Sequence, residues 1–102
     1  MLYVVILAID GSRATDWVKW MVDVHIPEVM ATGCFVSSTM VRDSEGDRAG
    51  RVGYRVYYRS ATDADLDRYQ AEFAKKLQAK HTLRYQHAFM ARREILPVVT
   101  QF

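Results

Sequence analysis

The predicted order of secondary-structure elements, β-α-β-β-α-β, assigns this sequence to the α+β class, in the split βαβ or ferredoxin-like plan. Three observations carry this prediction: an apolar N-terminal run, two amphipathic helical stretches, and a strand of strict alternation that follows a polar turn. Right-handed crossovers place both helices on one face of a four-stranded antiparallel sheet, with the first and third strands central. The whole chain, residues 1–102, is expected to form one domain.

The first predicted strand covers Leu2–Ile9. Its residues are apolar at both parities, which is typical of a strand that is covered on both faces. The run is too short to span a bilayer and lacks a basic leader, so a buried strand is predicted rather than a membrane segment.

The first predicted helix runs from Ala14 to about His25, after a turn at Asp10-Gly11-Ser12. Pro27 is expected to push Ile26 out of helical geometry and to end the helix there. One buried stripe follows helical spacing and comprises Trp17, Trp20, Met21 and Val24.

The next two predicted strands form a hairpin. Cys34–Asp43 alternates weakly and is predicted to be an edge strand. Asp43–Gly50 is polar and is predicted to be the hairpin loop. Arg51–Arg59 alternates cleanly, which is the mark of a strand whose two faces have different surroundings. Its first face is Val52, Tyr54, Val56 and Tyr58, and its second face is Gly53, Arg55, Tyr57 and Arg59.

The second predicted helix begins after a capping box at Thr62-Asp-Ala-Asp65 and runs to about Tyr85. Its apolar stripe comprises Leu66, Tyr69, Phe73 and Leu77. The last strand is predicted over Ala88–Val99, with Pro97 marking an edge position or the end of pairing.

The apolar residues of the first strand also predict a homodimer. Helices cover only one face of the sheet, so the residues on the other face of this strand need another cover. These are either the Tyr3 parity, which is Tyr3, Val5, Leu7 and Ile9, or the Val4 parity, which is Leu2, Val4, Ile6 and Ala8. A second copy of the sheet is the usual solution, and two such sheets packed face to face make a dimeric α/β barrel.

Composition limits the possible partners and locations. The net charge of +2 is too small to indicate nucleic acid, which calls for a clustered basic face. One cysteine, Cys34, rules out an intrachain disulfide and favours a cytoplasmic protein. The three histidines and Cys34 lack the spacing of a metal site, so no metal is expected.

The segment from Trp17 to Phe35 resembles a family of short, uncharacterised bacterial proteins of about this length. The matching positions are Trp17, Trp20, Met21, His25-Ile26-Pro27-Glu28-Val29, Ala31 and Thr32-Gly33-Cys34-Phe35. Tyr54, Val56, Arg93 and Ile95-Leu96 fit the same family, so the resemblance covers nearly the whole chain.

More distantly, the aromatic helix that ends in His25-x-Pro27 is similar to the dimeric α/β-barrel superfamily. That superfamily includes EthD-like proteins, antibiotic-biosynthesis-type monooxygenases and muconolactone isomerase-like enzymes. The resemblance implies a homodimer that binds or converts small, often aromatic metabolites, in several cases without a bound cofactor.

His25 is the candidate catalytic residue. It flanks the buried stripe, and a neutral imidazole there could act as a general base or hydrogen-bond donor near physiological pH. Asp23 or Glu28 could orient it. The alternative is that His25 bonds the last carbonyls of its helix, or serves only in packing, and needs no ligand.

Arginine and tyrosine on the strands are the candidate binding residues. Arg55, Tyr57 and Arg93 would suit an anionic or phenolic ligand, in a cavity also lined by Trp17 and Trp20. The alternative is that the strand residues form a solvated or dimer-facing surface with cross-strand pairs.

Two classes of function follow from these residues. The first is a small-molecule-binding protein or cofactor-independent enzyme that acts on a small organic acid or a phenolic metabolite, with His25 as acid and base. The second is a non-catalytic dimeric interaction or regulatory module. A cavity beside His25 favours the first class, whereas a cavity filled by Trp17, Trp20, Met40 and Met90 favours the second.

Overall fold

A computed structural model of residues 1–102 confirms the predicted fold class. The sheet is antiparallel, has the order β2-β3-β1-β4, and consists of β1 (Leu2–Asp10), β2 (Ser37–Arg42), β3 (Arg51–Arg59) and β4 (Phe89–Leu96). The helices are α1 (Ala14–Trp20), α2 (Ile26–Ala31), α3 (Asp63–Glu72) and α4 (Ala74–Arg84). The first and third strands are central, as the topology predicts.

The hydrophobic core lies between the sheet and the helices. The Tyr3 parity of β1 faces the helices, and the predicted first face of β3 lies beside it. Sixteen buried residues form one cluster there, so the fold has a single core. The fully buried members include Ile9, Trp17, Val29, Val56 and Tyr85.

The first helix does not end at Pro27, contrary to the prediction. Ile26 keeps helical torsion angles, and the chain continues through α2 to Ala31. A π-helical turn, Met21–His25, joins α1 to α2, and Ile26 N donates to Met21 O. Proline lacks an amide donor and its ring clashes with the carbonyl four residues earlier. The wider π turn accommodates both the missing donor and the proline ring, so the helix continues past Pro27.

The second predicted helix is two helices. Thr62 caps α3 as predicted, because its Oγ1 accepts from Asp65 N at 3.1 Å. The backbone leaves helical torsion at Phe73, where φ is −124°, although Phe73 N still bonds Tyr69 O. α4 then continues to Arg84.

The strand predicted over Cys34–Asp43 begins three residues late, because Cys34 and Phe35 belong to the core. Both are buried, and Phe35 packs against Tyr58 and Tyr69 with ring centroids 5.2 and 4.8 Å apart. β2 therefore pairs only from Ser37. β4 ends at Leu96, just before Pro97, as expected for a proline that stops pairing.

The hairpin loop folds back onto the sheet. A 3₁₀ turn at Ser44–Gly46 lies on Gly53 of β3, on the face away from the helices. Asp43 N donates to Gly53 O at 2.9 Å, and Gly53 N donates to Asp47 Oδ1 at 2.8 Å. Glycine allows this backbone approach because it has no Cβ.

The face of the sheet away from the helices, here called the open face, is only partly covered in the single chain, by the hairpin loop around Gly53. The Val4 parity of β1 lies on it. Val4 itself is 1% exposed, but Leu2, Ile6 and Ala8 are only partly buried. Met90 of β4 lies opposite Ala8 and is 68% exposed. None of the helices combines the length and apolarity that a bilayer crossing requires.

Candidate functional site

A small cavity lies between the sheet and the helices. Its volume is about 30 Å³, which is room for one or two water molecules. The lining is apolar for the most part but includes several groups that can hydrogen-bond: Tyr3, Trp17, His25, Tyr58, Tyr69, Gln78, His81 and Arg93. This space is called the helix-side cavity.

The π-helical turn places His25 at this cavity. In a regular helix, residues five apart point roughly 140° away from each other around the axis. The wider turn brings His25 back beside Trp20, and the two rings stack with centroids 5.2 Å apart. His25 Nδ1 is buried and has no hydrogen-bond partner. Because such atoms are normally satisfied, this nitrogen is available to a ligand or a water molecule.

His81 of α4 lines the same cavity. It is 7% exposed, and its ring lies 5.8 Å from the ring of His25. Trp17 Nε1 donates to His81 Nε2 at 2.8 Å in a buried hydrogen bond. That bond satisfies an indole N–H that would otherwise be costly to bury.

Both histidines are neutral at pH 7. Burial lowers the pKa of His25 to about 4, the charges of Arg93 and Lys80 add to the effect, and Glu28 opposes it. Burial likewise lowers the pKa of His81 to about 4, with His25 and Arg93 contributing. Strongly shifted pKa values cluster at functional sites, so two neutral imidazoles beside a cavity mark a candidate site.

Three tyrosines line the other end of the helix-side cavity. Burial raises the pKa of the Tyr3, Tyr58 and Tyr69 hydroxyls, so they stay protonated. Gln78 Nε2 donates to the Tyr3 hydroxyl at 3.4 Å. These groups offer neutral hydrogen-bond donors to whatever occupies the cavity.

Arg93 supplies the positive charge of the site. It lies on β4 opposite Val5, and therefore on the helix side of the sheet. Its charge lowers the pKa of His25, His81 and Tyr69 alike, which places it near both ends of the cavity. No carboxylate pairs with it, whereas Arg92 beside it pairs with Glu94. Arg93 hydrogen-bonds the Tyr3 hydroxyl, but its charge is not neutralised by a carboxylate, and such an arginine at a cavity favours an anionic ligand.

The structure brings together only part of the predicted site. His25, Trp17 and Arg93 line the helix-side cavity, and Trp20 flanks it by stacking on His25. Arg55 and Tyr57 lie on the open face, on the other side of the sheet, because they pair opposite Ile6 and Val4. One cavity therefore cannot hold all the predicted residues.

The arginines of the open face are engaged by acidic neighbours. Arg55 Nε donates to Asp43 Oδ2 at 2.8 Å, and Arg51 Nε donates to Asp10 Oδ1 at 2.9 Å. A larger and more open cavity of about 770 Å³ lies here between the folded hairpin loop and β4. Three of its four arginines, Arg51, Arg55 and Arg92, are paired with carboxylates, and Arg48 donates to the backbone carbonyls of Glu45 and Asp47.

Neither predicted orienting carboxylate bonds His25. Asp23 accepts from Lys19 Nζ at 2.7 Å, and Glu28 pairs with Lys80 Nζ at 3.1 Å. His25 also lies within the continuous helix, so it does not cap a helix end as the alternative supposed. The imidazole is held by stacking on Trp20 rather than by a carboxylate.

His81 is the residue of the site that sequence reasoning undervalued. Its position four residues after Leu77, on the buried stripe, predicted a partly buried helix residue rather than a ligand-binding one. One signal in the sequence points to His81: the indole N–H of a buried Trp17 needs a hydrogen-bond acceptor. No three side chains of His, Cys, Asp or Glu lie close enough together to hold a metal ion.

The two histidines predict a pH-dependent stability. Their pKa is lower in the folded protein than the ordinary value of 6.5, so the unfolded chain binds more protons between about pH 4 and 6.5. We therefore expect the free energy of unfolding to fall as the pH falls through this window. One histidine shifted this far contributes about 3 kcal/mol, and the coupled pair contributes less than twice that. Urea unfolding at pH 7 and pH 4.5 measures the loss.

The pH effect can be assigned with matched variants. His25→Gln and His81→Gln should each flatten the pH dependence. His87→Asn should not, because His87 is exposed and asparagine accepts its positive φ of 63°. An equal pH dependence in the wild type and in the double His25→Gln/His81→Gln variant would contradict this assignment.

The chain belongs to the family described as "Domain of unknown function (DUF4286)", which matches residues 1–99. This confirms the resemblance to an uncharacterised family. No protein of curated function is similar enough to count as a match.

Solved structures share the fold at low sequence identity. HapK from Hahella chejuensis is 14% identical with a TM-score of 0.68, and the alignment covers 100% of this chain and 97% of HapK. An ethyl tert-butyl ether d (EthD) family protein from Bacillus halodurans is 9% identical with a TM-score of 0.59, covering 95% and 100%. A dimeric ferredoxin-like protein from an uncultured marine organism is 10% identical with a TM-score of 0.60, covering 99% and 96%. These likenesses establish the fold.

Proposed function

We propose that this protein binds a small organic acid or phenolic compound in the helix-side cavity. The observation that carries the proposal is the buried, unpartnered Nδ1 of His25 in a cavity that is also lined by Arg93, an arginine with no carboxylate partner. Arginine would hold the negative charge of the ligand, and the imidazole would exchange a proton with it. The EthD family neighbour shares this fold.

The size of the helix-side cavity restricts the ligand. An apolar cavity of about 150 Å³ accommodates benzene, so an aromatic ligand requires this cavity of about 30 Å³ to widen. Arg93 is exposed and lies on the edge strand, so its side chain is the part of the lining that can move most easily. A ligand would enter past Arg93 and be held there.

His25 would serve as acid and base in a reaction that needs no cofactor. In the neutral form it can accept a proton from a ligand O–H or from an activated C–H. The electron pair left behind would gather on a ligand oxygen near Arg93, and the proton would return from His25 to the product. A pKa of about 4 makes a weak base, but a bound anion beside His25 would raise that pKa.

Thermal-shift titration with acetate, benzoate and phenol tests the proposed site. We expect at least one of them to stabilise the wild-type protein, since a ligand that binds only the folded state raises the melting temperature. Arg93→Gln should weaken benzoate binding by about 10-fold or more, because it removes a charge-assisted hydrogen bond. His25→Ala should abolish any turnover and leave the fold intact.

Arg92→Gln is the matched control for Arg93→Gln. The two residues are neighbours on the same edge strand and point to opposite faces of the sheet. Benzoate affinity should therefore survive in Arg92→Gln. Equal losses in the two variants, or no stabilisation by any of the three compounds, would refute the proposed site.

The open face supports a second candidate function, a homodimeric module. Its apolar stripe of Leu2, Ile6 and Ala8 continues onto Met90, which is 68% exposed, and Leu96, which is 44% exposed. A second copy placed about a two-fold axis would cover the same stripe on both chains. The neighbour described as a dimeric ferredoxin-like protein supports this arrangement.

Light scattering at micromolar concentration tests the dimer. We expect a dimer for the wild type and a monomer for Met90→Glu, because a buried charge without a partner is costly at an interface. Leu83→Glu is the control, since Leu83 is 74% exposed but lies on α4, away from the open face. A monomeric wild type, or dissociation by Leu83→Glu alone, would contradict a dimer formed through the open face.

A further inference from the structure

Trp17 determines which nitrogen of His81 carries the proton. An indole Nε1–H can only donate, so the 2.8 Å bond to His81 Nε2 requires that Nε2 be unprotonated. A neutral imidazole then carries its proton on Nδ1. The bond is buried, so water does not compete for either partner.

His25 has no such constraint. No protein group bonds its buried Nδ1, so neither tautomer of His25 is fixed by a hydrogen bond. The two rings lie 5.8 Å apart at the same cavity. The site thus contains one imidazole of fixed tautomer and one that is free to exchange its proton.

We infer that His81 is the hydrogen-bond donor of the helix-side cavity, through Nδ1–H, and that Trp17 is the positioning residue that keeps it in this role. Nδ1 is the only side-chain nitrogen that His81 has left for a ligand, since Nε2 accepts from Trp17. His81 therefore cannot act as the base without losing a buried hydrogen bond. The inference rests on the proposed function for the identity of the acceptor, a ligand oxygen.

This division of roles narrows the class of ligand. The compound must present an oxygen that accepts from His81 Nδ1–H, next to an O–H or an acidic C–H that His25 can deprotonate. Carboxylic acids, phenols and enolisable carbonyl compounds have this pattern. If His25 takes the proton, the negative charge appears on the oxygen that faces His81 and Arg93, and the same proton returns to the product. A fixed neutral donor is well suited to stabilise such a charge.

Long-range ¹H–¹⁵N spectra of the ligand-free protein test the tautomer. In the wild type, the side-chain nitrogens of His81 should show a protonated Nδ1 and an unprotonated Nε2 at pH 7. Trp17→Phe keeps an aromatic ring but removes the donor, so His81 should become a mixture of tautomers. Trp20→Phe is the matched control, because the indole of Trp20 contacts His81 only by its ring, and it should leave the His81 tautomer unchanged.

Addition of benzoate tests the role of the donor. When benzoate binds, the His81 Nδ1–H signal should shift in the wild type. A protonated Nε2 in the wild type, or benzoate binding without a shift of Nδ1–H, would overturn the inference. Failure of benzoate to bind would count against the proposed function alone, because the tautomer is measured without ligand.

Discussion

Replacement of Trp17 by alanine should remove much of the stability of this protein. The side chain is fully buried, packs on Tyr54 with ring centroids 5.0 Å apart, and donates to His81. Truncation of a buried tryptophan costs about 3–5 kcal/mol through lost contacts and the cavity left behind. The unpaired His81 Nε2 adds a further cost of about 1–3 kcal/mol. Domains of this size have about 5–15 kcal/mol in total, so urea unfolding should find the variant marginal or unfolded.

Two other tryptophan variants separate the parts of this loss. Trp17→Phe keeps most of the packing and should cost less than the truncation, so it remains folded. Trp20→Ala should also cost less, because Trp20 is only partly buried and lies at the edge of the core. A Trp17→Ala protein that unfolds at the same urea concentration as Trp20→Ala would contradict the central packing role of Trp17.

Replacement of Gly53 by alanine should have the second large effect. A Cβ at this position would lie 2.3 Å from Asp43 O and less than 3 Å from two backbone atoms of Gly46. Backbone atoms cannot move aside as a flexible side chain can, so the whole 3₁₀ turn must leave the sheet. We expect a loss of about 3 kcal/mol in the free energy of unfolding, at the upper end for overpacked sites.

The Gly53 effect should be confined to the open face. Gly46→Ala is a graded control, since its Cβ would meet Gly53 Cα at a less severe 3.3 Å. Folded Gly53→Ala protein should also keep its affinity for benzoate, because the helix-side cavity lies across the sheet. A stability equal to that of the wild type would show that the loop does not pack on Gly53.

The sheet could be predicted from the sequence because burial leaves a local pattern. The apolar run of β1 and the alternation of β3 indicate which side chains of each strand are buried. Right-handed crossovers then determine the strand order. The close approach at Gly53 was also signalled, since glycine within an alternating strand often marks one. The alternation itself places Gly53 only on the second face of its strand and does not indicate which segment approaches it.

The candidate site could be predicted only in part, because its geometry depends on distant contacts. A proline can end a helix or be absorbed by a π turn, and the residues around Pro27 do not distinguish the two outcomes. The pairing of Trp17 with His81 joins residues 64 apart in the chain. Arg93 and Arg55 lie on different faces because of strand register, which periodicity alone does not give.

The crystal structure of the protein soaked with benzoate tests the central claim most directly. The account predicts benzoate in a widened helix-side cavity, with its carboxylate within hydrogen-bond distance of Arg93 and His81 Nδ1 and with His25 beside it. Benzoate found only on the open face, or a helix-side cavity that stays closed at saturating benzoate, would contradict the account.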